Sequence, residues 1–206
     1  MTLINCGVFI AGLGGLGGYL LEHMLRLGPG FIRAADGDVF DETNLDRQLL
    51  SASSQLGRPK AEAAAERAKL VAPGLDFEAV SVFLDGENCL RLLRGCALAL
   101  DGLDNAESRL VLERGCAEVG IPLVHGAASG LCFEAGVVPP GSGMLARLYP
   151  PGRQAMDRMA RGPAVAACAA IQCAQAEQIL RGERPTLWGK LLTADLAGPS
   201  FDISTV

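Results

Sequence analysis

Apolar residues along this chain fall into short unbroken runs, separated by glycine turns and by longer segments in which they recur every three or four positions. Residues 7–11 form the first run and predict a strand buried on both faces. Gly12-Leu-Gly-Gly-Leu-Gly17 follows as a turn, and 19–27 reads as a helix closed by Gly28 and Pro29. Residues 31–35 form a second strand that ends at Asp36. Strand, glycine turn, helix and strand within about 30 residues make one mononucleotide-binding unit of a doubly wound fold.

The alternation continues. Residues 38–54 are polar and irregular, and predict loop or short helices. Residues 59–71 predict a helix, with Pro59 in its first turn and Pro73 beyond its end. A strand over 77–82, a short helix near 87–94 and a strand over 97–100 come next, the last ending at Asp101. A helix over 105–119 and strands at 122–124 and 131–138 follow. The stretch 139–162 is loop-rich and carries Pro139, Pro140, Pro150 and Pro151. An Ala-rich helix over 164–180 and two short strands, 190–196 and 201–205, complete the chain as an edge hairpin or a small second sheet. The pattern predicts an α/β fold. It is a doubly wound, Rossmann-like, mostly parallel sheet with helices on both faces and a C-terminal antiparallel strand pair.

Composition narrows the function. The 206 residues suffice for one core, and a net charge of −5 excludes a broad basic surface, so no nucleic-acid partner is expected. The seven cysteines are odd in number with no Cys-x-x-Cys pair, which predicts reduced thiols in a cytoplasmic protein, not a disulfide framework. No signal peptide is expected. The Ala-rich helix carries Gln172, Gln175, Glu177 and Gln178 and is too polar to span a membrane, so no membrane partner is expected either.

Candidate chemistry begins at the glycines. Gly12 permits a tight turn, Gly14 the close approach of a phosphate, and Gly17 close helix packing. The same glycines also suit a tightly packed turn with no ligand. Asp36 stands 22 residues after Gly14, where a carboxylate accepts from ribose hydroxyls. An NAD-binding oxidoreductase fits that far, but leaves no length for a substrate domain and no role for the residues that follow.

Those residues are Asp36-Gly-Asp38, Asn44-Leu-Asp-Arg47-Gln48, Lys60 after Gly57, and Asp104-Asn105 with Arg109 beyond. In this order and spacing the chain resembles the ThiF/MoeB/HesA family, the bacterial relatives of ubiquitin-activating enzymes, over nearly its whole length. The resemblance implies ATP-dependent adenylation of the C-terminal glycine of a ubiquitin-like sulfur-carrier protein ending in Gly-Gly. The thiamine-pathway (ThiS-like) carrier is the first expectation and the molybdopterin-pathway carrier the second. It implies nucleotide contacts at Gly12, Gly14, Gly15, Asp36, Asp38, Asn44, Arg47, Gln48 and Lys60. Arg47, Lys60 and Asp104 take catalytic roles, and Asp104 holds Mg²⁺. Asp38 is placed to orient Arg47 or a metal-bound water. A single domain over 1–206 is implied, with a nucleotide-binding half of about 1–125 and a partner-binding and dimer half of about 126–206. A homodimer is implied by family habit and by the Ala-rich helix.

Alternatives attach to some positions. Arg47 also suits an ion pair with Asp46 or Asp41, Asp101 suits a structural cap of its loop with Asp104 the metal ligand although the spacing does not fully separate the two, and Asp104 also suits the cap of the following helix. Arg109 reads as structural, pairing near Asp101 or Asp104. The chain also departs from the family. The two Cys-x-x-Cys pairs of a structural zinc are missing, so no zinc is expected. The crossover stretch 139–162 has no cysteine, and Cys132, Cys168 and Cys173 read as packing residues. No arginine precedes the first strand to serve a partner subunit. These departures leave a non-catalytic relative that binds nucleotide or a ubiquitin-like protein as a rival reading.

Overall fold

The computed structural model describes residues 6–150 and 159–206. Strand β1 (Gly7–Ala11) leads through the glycine turn into α1 (Gly15–Leu27) and β2 (Phe31–Ala35). After two short 3₁₀ turns come α2 (Lys60–Val71), β3 (Asp76–Val80), α3 (Cys89–Leu93), β4 (Cys96–Asp101), α4 (Ala106–Val119) and β5 (Leu123–Ser129). Strand β6 (Cys132–Val138), α5 (Met144–Leu148), α6 (Gly162–Leu180), β7 (Lys190–Asp195) and β8 (Ser200–Thr205) complete the described chain.

One sheet runs in the order β3-β2-β1-β4-β5-β6-β7-β8. Its first five strands are parallel and its last three antiparallel. The expected C-terminal pair is present as β7 and β8, an antiparallel edge hairpin that β6 joins to the main sheet. The reversal comes early because Gly130, at φ +58°, turns β5 directly back into β6. Alternate residues of β1 serve the two layers. Val8 and Ile10 pack with α1, α2 and α6, while Phe9 and Ala11 pack with α3, α4 and α5. The apolar face of α6 (Ala164, Val165, Cys168, Ala169, Cys173, Ala176) lies in the first of these cores. Among the described residues no helix is long and apolar enough to cross a membrane.

Two boundaries differ from the sequence pattern for local reasons. Helix α1 begins at Gly15, earlier than 19, because its glycines leave the first turn with few side chains for the pattern to register. The stretch 139–162 contains α5, whose first turn is held from outside. Buried Glu113 accepts hydrogen bonds from the Leu145 and Ala146 amides at 2.8 and 3.1 Å. Residues 151–158 of that stretch lie outside the described residues. Glu113→Ala is expected to cost about 2 kcal/mol by stranding those amides. A lower urea midpoint with an unchanged denaturant slope would show it.

Candidate active site

The site sits where the strand order changes direction, between β1 and β4, at the carboxyl ends of the parallel strands. Gly12, at φ +86°, receives a hydrogen bond geometry that ties the turn to β2: its amide donates to Ala35 O at 2.8 Å. Asp36 fixes the same junction, accepting from the Leu13 amide at 2.7 Å and the Asp38 amide at 2.9 Å. Both carboxylate oxygens keep lone pairs for a further donor. A Cβ at Gly14 would lie 3.6 Å from the nearest atom, the Gln48 amide, so no protein atom fills the space the glycine leaves.

A cavity of about 870 Å³ opens over this turn, within the roughly 300–1,000 Å³ common for small-ligand sites. Gly12, Gly14, Gly15, Asp36, Asp38, Arg47, Gln48, Lys60 and Asp104 all line it. The expected nucleotide and metal residues thus share one wall system, with Asn44 the exception. Asn44 is buried outside the lining, where its Oδ1 accepts from the Asp41 amide at 3.2 Å and closes a capping box with Asp41. Its carbonyl accepts from the amides of Arg47 and Gln48 at 3.3 and 2.9 Å, so it shapes the turn that presents them.

Lys60 is buried at the first position of α2, a costly place for a cation beside the positive helix end. Asp38 compensates it at 2.6 Å. Burial pushes the Asp38 carboxyl up, but the Lys60 hydrogen bond and the Val39 amide outweigh it and hold the group below its ordinary range. Asp38 therefore serves Lys60, not Arg47 as expected. Arg47 Nη1 donates to Thr43 O at 2.6 Å and to Asp46 at 2.8 Å. The ion pair and the cavity-lining position hold together, because one guanidinium nitrogen suffices for the anchors. Gln48 carries an unmet demand here. Gln48 lines the cavity, and among the described residues its buried Oε1 has no hydrogen-bond partner, a condition that a bound ligand relieves.

The two candidate metal carboxylates separate cleanly. Asp101 is wholly buried and accepts from the Leu103 amide at 2.9 Å, with Arg109 Nε at 3.3 Å and His125 Nδ1 at 2.7 Å. Asp104 is exposed on the cavity lining. The cap of α4 is Asn105, whose Oδ1 accepts from the Ser108 amide at 2.9 Å, so Asp104 is not spent on the helix. Among the described residues no group of three or more His, Cys, Asp or Glu is placed to hold a metal. A Mg²⁺ here fits the other common arrangement, one carboxylate plus the phosphates of a nucleotide.

Sequence reasoning missed two parts of the lining. Val82, Phe83 and Leu84 supply an apolar wall just past β3, where the pattern extended the strand to 82. Glu134 and Tyr149 line the far side and meet His125 beneath it. No local motif marks these residues, because they come from separate elements. Cys168 and Cys173 are packing residues, as expected, while Cys132 reaches the cavity. Burial holds Cys168 well above the ordinary thiol range and pushes Cys173 up to about 12. Cys132 is half-buried on the cavity lining.

A family model described as the ThiF family matches residues 2–206. The chain belongs to the ThiF family. With it the chain joins the E1-like adenylyltransferases. This ThiF-family chain is 31% identical to the SAMP-activating enzyme E1 of Haloferax volcanii, covering 97% of itself and 76% of that protein. It is 31% identical to the sulfur carrier protein adenylyltransferase of Thermus thermophilus, covering 99% and 80%. It is 32% identical to the sulfur carrier protein ThiS adenylyltransferase of Bacillus subtilis, covering 84% and 54%. Among solved structures, PaaA superposes with a TM-score of 0.82 at 19% identity, covering 99% of this chain and 65% of that one. Escherichia coli MccB with ATP superposes with a TM-score of 0.82 at 16% identity, covering 98% and 64%. These likenesses support the fold, and the chain spans just under two thirds of either structure.

Proposed function

We propose that this protein uses ATP and magnesium to adenylate the C-terminal glycine carboxylate of a ubiquitin-like sulfur-carrier protein. The observation that carries the reading is that Arg47, Lys60 and Asp104 line one cavity with the glycine turn. A carboxylate oxygen of the carrier attacks the α-phosphorus of ATP. The bond from that phosphorus to the β-bridging oxygen breaks, pyrophosphate leaves with the electron pair, and an acyl-adenylate remains. Negative charge grows on the leaving pyrophosphate. Two cations aimed at it from fixed positions lower the barrier more than they aid ground-state binding. Lys60 has three N–H donors, so its ammonium reaches a phosphate while keeping Asp38. Magnesium, when bound, neutralises phosphate charge and draws the α-phosphorus toward attack. The N-terminus of α1 is directed at the phosphates, while the Gly12 and Leu13 amides hold the turn through Ala35 O and Asp36.

The half of the chain over about 126–206 is read as the partner side. A second cavity of about 1190 Å³ shares Ser129, Cys132, Met159, Ala160 and Asp195 with the first, which gives an extended tail a route to the nucleotide. A thiamine-type carrier is the first choice of substrate, supported by the name of the Bacillus relative. A homodimer remains part of the reading, although α6 spends its apolar face on the core of its own chain.

ATP–pyrophosphate exchange tests the reading. Exchange should need a carrier ending in Gly-Gly and run fastest with the thiamine type. ATP binding with no exchange for any carrier would favour the non-catalytic alternative. Asp104→Asn should lower exchange by about 10²-fold and raise the magnesium concentration needed for half-maximal rate. An unchanged magnesium requirement would remove Asp104 from the metal role.

A further inference from the structure

Beneath the far wall of the cavity, polar groups from four elements converge on one ring. His125 on β5 is wholly buried and does not itself line the cavity. Its Nδ1 lies 2.7 Å from Asp101 Oδ2 on β4. Its Nε2 lies 3.5 Å from Glu134 Oε1 on β6 and 3.2 Å from the Tyr149 hydroxyl just past α5. That hydroxyl is 2.5 Å from the same Glu134 oxygen. Glu134 and Tyr149 both line the cavity.

We infer that His125 is a positioning residue of the adenylation site, which sets through the proton on Nε2 how Glu134 and the Tyr149 hydroxyl stand on the cavity wall. The inference rests on the adenylation reading above. Asp101 is a carboxylate that only accepts, so Nδ1 carries a hydrogen in either charge state of the ring. Everything then turns on Nε2. In the imidazolium, Nε2–H donates toward Glu134, and the Tyr149 hydroxyl donates to the same carboxylate. In the neutral ring Nε2 is an acceptor. It competes with Glu134 for the hydroxyl hydrogen and offers the carboxylate nothing. One hidden ring thus re-aims two side chains at the place where the carrier tail meets the nucleotide.

Charged and polar groups of the described residues face His125 from several elements. Asp101 and the Arg109 guanidinium lie toward β4 and α4, with Arg109 stacked 5.3 Å over the Tyr149 ring. From α6, Cys168 Sγ lies 3.3 Å from Glu134 O, and Gln172 donates to the carbonyls of Asp101 and Val124 at 2.9 and 3.1 Å. Burial works against the charged ring, as does Arg109. The hydrogen bonds to Asp101 and Glu134 outweigh them and raise the His125 pKa above its ordinary 6.5. A raised folded value means that the stabilisation is complete below the unfolded pKa. It is lost as pH rises through the folded one.

The chain has two histidines, His23 and His125, so ring NMR titration resolves both, with H23Q fixing the assignment. The His125 midpoint should lie above the ordinary 6.5, and E134Q should lower its proton affinity about tenfold. In exchange kinetics, H125N keeps a nitrogen for Asp101 but cannot reach the Nε2 partners. H125N and Y149F should each raise the carrier KM about tenfold with a smaller change in kcat, and the double variant should be no worse than either single one. The wild-type carrier KM should rise with pH through the His125 midpoint, and H125N should lack that limb. A His125 midpoint at or below 6.5, a wild-type pH profile in H125N, or effects that multiply in the double variant would each overturn the inference. A wild type with no carrier-dependent exchange removes the positioning role together with the adenylation reading. An NMR titration still coupled to Glu134 then identifies the function, not the hydrogen-bond arrangement, as the point of failure.

Discussion

Lys60→Ala is expected to lower ATP–pyrophosphate exchange by roughly 10²- to 10³-fold, the scale for removing a group that stabilises transition-state charge. The geometry argues for the upper end. The substitution removes a buried ammonium and also uncovers Asp38, whose carboxylate it holds at 2.6 Å. A site that must accept a triphosphate then presents an anion where it had a neutral pair. The Asp38→Asn/Lys60→Ala double variant should therefore recover part of the loss, because it removes the uncovered charge. Arg47→Ala should cost about 10²-fold, with no such rescue, since its anchors Asp46 and Thr43 are exposed and stay solvated without it. Exchange within a few fold of wild type in both single variants would end the phosphate roles assigned here. Pyrophosphate exchange with purified carrier measures all of these rates directly.

Gly17→Ala should have the largest effect on the fold. A Cβ at position 17 would fall on the carbonyl oxygen of Gly12, a backbone atom with no freedom to swing aside. The helix and the glycine turn approach so closely that only hydrogen fits between them. Separating them displaces α1 from β1 and opens the phosphate-facing loop. A cost of about 3 kcal/mol follows for such overpacking, which in a chain this size lowers Tm by roughly 6–12 °C. Nucleotide affinity should fall as well, because the turn itself is displaced. Gly28→Ala is a useful contrast. Gly28 has positive φ, at +70°, which Gly17 does not, but among the described residues nothing lies within 4 Å of its would-be Cβ. It should cost about 1 kcal/mol of backbone strain and leave nucleotide binding intact. Thermal melts with and without ATP separate the two cases.

The parts of the molecule that were legible in the sequence are those whose cause is local. β1 and β2 are short apolar runs with glycine and acid at their ends, and their limits follow from that pattern. The cavity residues of the glycine turn, Asp36 and Lys60 are legible for the same reason, each being tied to a strand end or helix start. What was hidden depends on distant partners. Helix α5 lies in a proline-rich stretch, and its first amides find their acceptor in Glu113, 32 residues earlier. Spacing alone did not fully separate Asp101 from Asp104; the fold does, with Asp101 accepting from the Leu103 amide of its own loop and meeting His125 and Arg109. Asn44 looked like a ligand contact, yet its amide is used up by the cap of its own turn. Gln48 keeps its expected place on the cavity, but nothing near it in the chain says that its Oε1 is buried with no hydrogen-bond partner among the described residues.

Intact-mass spectrometry of the carrier protein is the most direct test of the account. Incubated with this protein, ATP and magnesium, a carrier ending in Gly-Gly should gain one adenylyl group on its terminal carboxylate, with pyrophosphate released in equal amount. The adduct should be absent with Lys60→Ala and with a carrier lacking its last glycine. A carrier mass that stays unchanged while ATP is bound would contradict adenylation as the function of this site.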